Sequence, residues 1–204
     1  MRKITHVVNV GGVKVGGNNP IVVQSMTDTD TSDINKTVNQ IEELYNAGSE
    51  IVRVTVNNVE SAKAISKIKP ILSDKGINVP IIGDFHFIGH KILRTVPECA
   101  ENLDKYRINP GNLGSGNRKD DNFKTFIDIA KDLDKPVRIG VNAGSLDQEL
   151  LDLKMEENNR LRVPKSAEEV ESDALISSAI ISYQKAIDYG LSKNNIIISC
   201  KVSR

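Results

Sequence analysis

Several apolar runs in this chain end in groups that could do chemistry. Arg53 lies in "EIVRVTV" (50–56), Asp84 and His86 in "VPIIGDFHF" (79–87), and Arg107 in "KYRINP" (105–110). Arg138 lies in "PVRIGVN" (136–142) and Lys201 in "NIIISCKVSR" (195–204). Each has a polar companion an even number of positions away: Thr55, Asn109, Asn142 and Ser203, with Asp84 and His86 forming their own pair. Even spacing in a β-strand puts two side chains on one face. All of these residues fall towards the C-terminal ends of their runs, where parallel α/β architectures build their active sites.

A single arginine in an apolar strand ordinarily marks an edge or a salt bridge, and a single histidine a satisfied core group. Three arginines and a lysine gathered near one acid reverse that preference. Asp84 can neutralise one cation, and each of the others would cost several kcal/mol in a low-dielectric mouth without a counter-ion. A polyanionic ligand supplies the missing charge. Guanidinium groups grip phosphate oxygens in bidentate fashion and lysine adds a point charge, so a diphosphate is the natural fit. Arg53, Arg107, Arg138 and Lys201 are the candidate phosphate ligands, with Asn109, Asn142 and Ser203 beside them. Asp84 and His86 are two titratable groups on that same face.

The elements that must position these groups follow from periodicity. The chain begins with a hairpin: "THVVNVGGVKVGG" (5–17) is two short β runs joined at Gly11-Gly12, suited to plugging a barrel floor. Then strand and helix alternate. "PIVVQSM" (20–26) is the first strand, and Ile34, Val38, Ile41 and Leu44 stripe a helix that Gly48 ends. The "TDTDTSD" segment (27–33) is expected to cap that helix through Ser32 or a neighbouring Asp or Thr. A second helix runs through Ala62, Ile65 and Ile68 to Gly76, and another surrounds Phe123, Phe126, Ile127 and Ala130. The last long helix opens with Ser166 and Glu169 at capping-box spacing, and its predicted apolar stripe is Ile176, Ile180, Tyr183 and Ile187. The charged stretch 152–165 reads as an inserted loop or extra helix. "RINPGNLGSGN" (107–117) and "NAGS" (142–145) could offer backbone N–H groups to phosphate. Cys200 alternates out of phase with Lys201 and is expected in the helix-side core.

This alternation predicts an α/β fold: a TIM-like (β/α)8 barrel, here incomplete with about six parallel strands, and an N-terminal β-hairpin. Residues 1–19 form the hairpin and 20–204 a partial barrel that binds substrate. Six strands do not close an eight-strand barrel, so the chain reads as a fragment. Lys plus Arg and Asp plus Glu number 27 each, which removes any global field for nucleic acid or an anionic membrane. No apolar run approaches the ~20 residues of a membrane span, and no signal-peptide core is present; the expected location is cytoplasmic. Cys99 and Cys200 are too few for a disulfide framework or a metal cage.

"VQSMTDTDT", "IVRVTV", "GDFHF", "RINPGN", "RIGVNAGSL" and "SCKVS" also occur in the order seen in one family. The chain resembles the N-terminal barrel part of 4-hydroxy-3-methylbut-2-enyl diphosphate synthase, from about residue 4 to its end. The family usually has "DIHF" where this chain has Asp84-Phe85-His86-Phe87, a change at the intervening helix-facing position. The resemblance implies reductive opening of 2-C-methyl-D-erythritol 2,4-cyclodiphosphate to the linear allylic diphosphate in isoprenoid biosynthesis. It implies phosphate binding by Arg53, Arg107, Arg138 and Lys201 with Asn142 nearby, and places Asp84 and His86 near the reacting carbons. It also implies a 4Fe–4S cluster in a separate C-terminal domain whose ligands this chain lacks, flavodoxin or ferredoxin as electron donor, and a homodimer. The alternatives are another phosphate- or pterin-binding barrel enzyme of the dihydropteroate synthase type, and a non-catalytic binding fragment.

Overall fold

The computed structural model describes residues 4–113 and 116–202, with the backbone alone for Gly116 and Asn117. The first two strands, β1 (Val7–Val10) and β2 (Val13–Gly16), pair antiparallel around Gly11 and Gly12. Both glycines have positive φ, +56° and +96°, which any other residue would adopt under strain. The predicted hairpin is present.

The main sheet has six parallel strands in sequence order: β3 (Gln24–Met26), β4 (Ile51–Val56), β5 (Ile81–Phe85), β6 (Lys105–Ile108), β7 (Val137–Asn142) and β8 (Ile196–Lys201). Consecutive strands being neighbours throughout, with a helical crossover between each pair, is the arrangement of an incomplete α/β barrel. The helices are α1 (Ile34–Asn46), α2 (Val59–Asp74), α3 (Gly89–Thr95), α4 (Pro97–Asn102), α5 (Gly116–Asp132), α6 (Gln148–Asn159) and α7 (Ala167–Asp188). The two short helices between β5 and β6 were not foreseen, and the charged insertion supplies α6.

The two faces of the sheet bury different things. Val52, Val54, Val56, Ile81, Tyr106, Ile108, Val137 and Ile139 pack with the helices in the main core. Phe85, Tyr106 and Phe126 meet edge-to-face there at 5.5–5.8 Å, and the Tyr106 hydroxyl donates to the Ala100 carbonyl at 2.7 Å. The opposite, inner face carries Ile51 and Ile82, which are buried with Val8 and Val10 of the hairpin. The hairpin therefore seals the floor of the half-barrel, its two valines meeting the two isoleucines of the sheet. Alternation then dictates the rest: residues in phase with Ile51 and Ile82 point inward above that floor.

Caps and stripes were read with mixed success. Asp33 caps α1 by accepting from the Lys36 N–H, and Ser166 and Glu169 form a reciprocal capping box on α7. The predicted α7 stripe needs correction. Ile176 and Ile180 are 53% and 60% exposed, whereas Val170, Ala174, Leu175, Ala179 and Ala186 are buried. Small residues face the interior, and Tyr183 and Ile187 are partly buried against the core. The first strand is also shorter than predicted: Ile21 and Val23 are exposed, and pairing with β4 spans Gln24–Met26. Cys200 has the predicted phase but is exposed, as is Ile198 in the same strand. β8 is an edge of this sheet, and little covers its outer side.

Candidate anion site at the mouth of the half-barrel

Register brings the predicted cations together. Met26 aligns with Arg53, Arg53 with Ile82, Asp84 with Arg107, Arg107 with Arg138, and Asn142 with Lys201. Arg53, Asp84, Arg107, Arg138 and Lys201 thus share the inner face, above the hairpin plug. The carboxylate of Asp84 stands between two guanidinium groups: Arg107 Nη1 lies 3.0 Å from Oδ1 and Arg53 Nε 3.6 Å from Oδ2. Arg53 also points Nε and Nη2 at the Met26 sulfur, at 3.1 and 2.9 Å.

Positive charge is left over. Among the described residues no ion pair includes Arg138 or Lys201, and Asp84 is the carboxylate that pairs with Arg53 and Arg107. Burial holds Arg138 below the usual arginine range, and the charges of Arg53 and Arg107 push the same way, with Asp84 opposing. The Nε of Arg107 is buried and has no hydrogen-bond partner. A buried N–H without an acceptor costs roughly 1–3 kcal/mol, and this one lies among further cations.

Gly140 makes room for that group. A Cβ there would lie 3.2 Å from Arg107 Nε and 3.4 Å from Ser199 Oγ. Gly140 and Ser199 face each other in the register, in phase with Arg138 and Lys201. Neither was singled out from sequence, although the even spacing to Arg138 was visible. Gly140→Ala should crowd the guanidinium at a cost of about 1 kcal/mol to anion binding, roughly fivefold. Titration with sulfate checks this; unchanged affinity would show that Arg107 does not depend on that space.

The asparagines hold the loops that follow their strands. Asn109 Oδ1 accepts from the Gly111 N–H at 3.0 Å, and its amide donates to Ser145 Oγ at 2.7 Å. Asn142 Oδ1 accepts from the Gly144 N–H at 3.2 Å. Both side chains therefore cap the short 3-10 turns Pro110–Asn112 and Ala143–Ser145 that close their strands. A Cβ on Gly111 would fall 2.3 Å from the Ser145 carbonyl oxygen, so the two loops touch through a glycine. The Gly111 and Gly144 N–H groups are thus already engaged. The far part of the glycine-rich stretch, at 114–115, and Ser203 lie outside the described residues.

His86 follows the last residue of β5 and is half-buried, whereas Asp84 is buried within the strand. The two titratable groups that share a phase therefore end at different depths. Lys201 ends β8 and is exposed. His90, on α3, is buried with both ring nitrogens unpartnered, and burial lowers its pKa.

A metal or cluster finds no holder here. Among the described residues no group of three His, Cys, Asp or Glu side chains could ligate one. Cys99 is buried on α4 with its thiol pushed up to about 12 by burial, and Cys200 is exposed on β8. These residues do not fit an iron–sulfur centre. No helix among the described residues is long and apolar enough to cross a membrane.

Solved barrel structures share the fold at low identity. Dihydropteroate synthase from Xanthomonas albilineans superposes with a TM-score of 0.57 at 12% identity, over 96% of this chain and 64% of that one. The 7,8-dihydropteroate synthase of Vibrio fischeri ES114 gives 0.58 at 11%, over 95% and 66%. Type I 3-dehydroquinate dehydratase from Clostridium difficile gives 0.54 at 16%, over 97% and 81%. The chain spans about 64% of the length of the Xanthomonas enzyme. At these identities the likeness establishes the barrel fold and nothing about the ligand. The sequence is more specific: the GcpE TIM-barrel domain family matches residues 5–204, and the chain belongs to that family.

Proposed function

We propose that the inner face of this half-barrel binds the diphosphate of 2-C-methyl-D-erythritol 2,4-cyclodiphosphate, as the substrate-holding part of an isoprenoid-pathway oxidoreductase. One observation carries the reading above all: the buried, unpartnered Nε of Arg107, set among Arg53 and Arg138 with a single compensating carboxylate. Membership of the GcpE TIM-barrel family supports the pathway. The overall change, cyclodiphosphate plus two electrons and two protons giving the linear allylic diphosphate and water, needs electrons that these residues do not carry.

The residues of this chain would bind and orient. Arg53, Arg107 and Arg138 approach from three strands and so can take oxygens on both phosphates, while Lys201 adds charge at the rim. Asp84 is a positioning residue, holding two of the arginines to the inner face. His86, past the end of β5 and half-buried, is the group placed to exchange protons with a ligand at the mouth. Exclusion of water at the lower end falls to the aliphatic plug beneath the cations.

Calorimetric titration of the 204-residue chain tests this reading. The cyclodiphosphate should bind with an affinity that falls as salt rises, and a pterin should not bind. Pterin binding without cyclodiphosphate binding would replace it with a dihydropteroate synthase-like function.

A further inference from the structure

One buried charge on the inner face has no task in the site described so far. Lys105 opens β6, two residues before Arg107 and in the same phase, and aligns with Ile82 of β5. That is the level of Ile82 in the plug and of Arg53, which aligns with the same residue, and one layer beneath Arg107 and Arg138. The residue is 3% exposed, and among the described residues its amine has neither an ion-pair partner nor a hydrogen bond; unlike Arg107 Nε, the nitrogen is not wholly enclosed and keeps some accessible surface. The charges that act on it are Arg138 from β7 and Arg53 from β4, and Arg107 stands two residues further along its own strand. Val8 and Val10 of the hairpin add no charge. Asp84 is engaged by Arg53 and Arg107.

A buried ammonium without a counter-ion is unfavourable, and a protein tolerates it where a ligand or a change of protonation resolves the imbalance. We propose that Lys105 completes the anion site from below: it is a positioning cation, and a phosphate-bearing ligand seated above it draws a proton onto its amine. This rests on the reading of the inner face as a phosphate site. Burial, and then the charges of Arg138 and Arg53, bring the Lys105 pKa down to about 8 in the ligand-free chain. Negative charge on the ligand opposes both arginines and returns the amine towards its ordinary range. Binding therefore takes up protons near pH 8, and affinity is flat below that pH and falls as pH rises through it. The arginines stay charged throughout and contribute no such dependence.

The folded chain feels the same group with a definite sign. The folded-state pKa lies below the ordinary value of 10.5, so the charged form is penalised by folding. The penalty is complete below about pH 8 and disappears as pH rises towards 10.5, so ligand-free stability should increase over that interval. Lys105→Met, which removes the penalty without leaving a void, should melt higher at neutral pH and lose that rise.

The decisive experiment is calorimetric titration of the full 204-residue chain at pH 8 in buffers of low and high ionisation enthalpy. The probes are 2-C-methyl-D-erythritol 2,4-cyclodiphosphate and inorganic sulfate, both fully ionised through the neutral and alkaline range. The unmodified chain should take up about half a proton per ligand. Lys105→Met should lose that uptake and bind about tenfold more weakly at neutral pH. Lys105→Arg, whose charge is fixed, should bind without uptake. Equal proton uptake by the unmodified chain and Lys105→Met would overturn the proposal. If sulfate shows uptake that depends on Lys105 while the cyclodiphosphate fails to bind, the substrate reading falls and the role of Lys105 stands. If neither probe binds with such uptake, the role of Lys105 falls too.

Discussion

Replacing Asp84 with asparagine should cost the ligand-free chain about 3–5 kcal/mol of stability, on the order of 10 °C in melting temperature for a chain of this size. The carboxylate is 6% exposed at its side chain and stands between Arg53 and Arg107, with Arg138 on the strand beyond Arg107 and Lys105 one layer lower on the strand of Arg107. An amide oxygen can still accept from Arg107, which favours the lower end of the range, but no negative charge then remains among those cations. The anion site should respond in the opposite sense. Asp84→Asn removes the one repulsive group near the ligand, so sulfate affinity should hold or rise, and saturating sulfate should recover much of the lost stability by binding the folded state alone. Thermal melts with and without sulfate measure both effects. A variant that melts with the unmodified chain would show that Asp84 does not compensate the arginines.

Arg107→Met should do the reverse: little change in ligand-free stability and a large loss in binding. Arg53 remains to pair with Asp84, and Arg138 loses a like-charged neighbour on the next strand. What disappears is the guanidinium whose Nε is buried without an acceptor. Charge-assisted hydrogen bonds contribute roughly 1.5–3 kcal/mol, so cyclodiphosphate affinity should fall between about tenfold and a hundredfold. Arg107→Lys should recover a minor part of it, because an ammonium cannot reproduce the planar fork. Titration of both variants is the check. Full recovery by lysine would mean that charge alone matters and that the unpartnered Nε is incidental.

Much of this site was legible because strand alternation is strict. Once "IVRVTV", "IIGDF", "KYRI" and "VRIGVN" were read as parallel strands, the phase of Arg53, Asp84, Arg107 and Arg138 followed, and the register bears it out. What stayed hidden depended on depth and on neighbours. Lys105 shares the phase of Arg107, but phase alone does not show that it is 3% exposed. Gly140 gains meaning only beside the Arg107 side chain of the adjoining strand. The exposure of Cys200 reflects an edge strand, which phase does not reveal.

Other local features have signals in the sequence. Asn109-Pro110-Gly111 and Asn142-Ala143-Gly144 are both Asn-x-Gly, and an asparagine readily accepts from the N–H two residues on. Each does so here through its Oδ1. In α7 the isoleucines drew attention away from Ala174, Ala179 and Ala186, the small residues on its buried side.

The most direct measurement is a crystal structure of the 204-residue chain with 2-C-methyl-D-erythritol 2,4-cyclodiphosphate. The phosphates should lie on the inner face above the hairpin plug, one oxygen accepting from Arg107 Nε and others from Arg53 and Arg138. A ligand bound elsewhere, or one that leaves Arg107 Nε without an acceptor, would contradict the assignment of this face as the phosphate site.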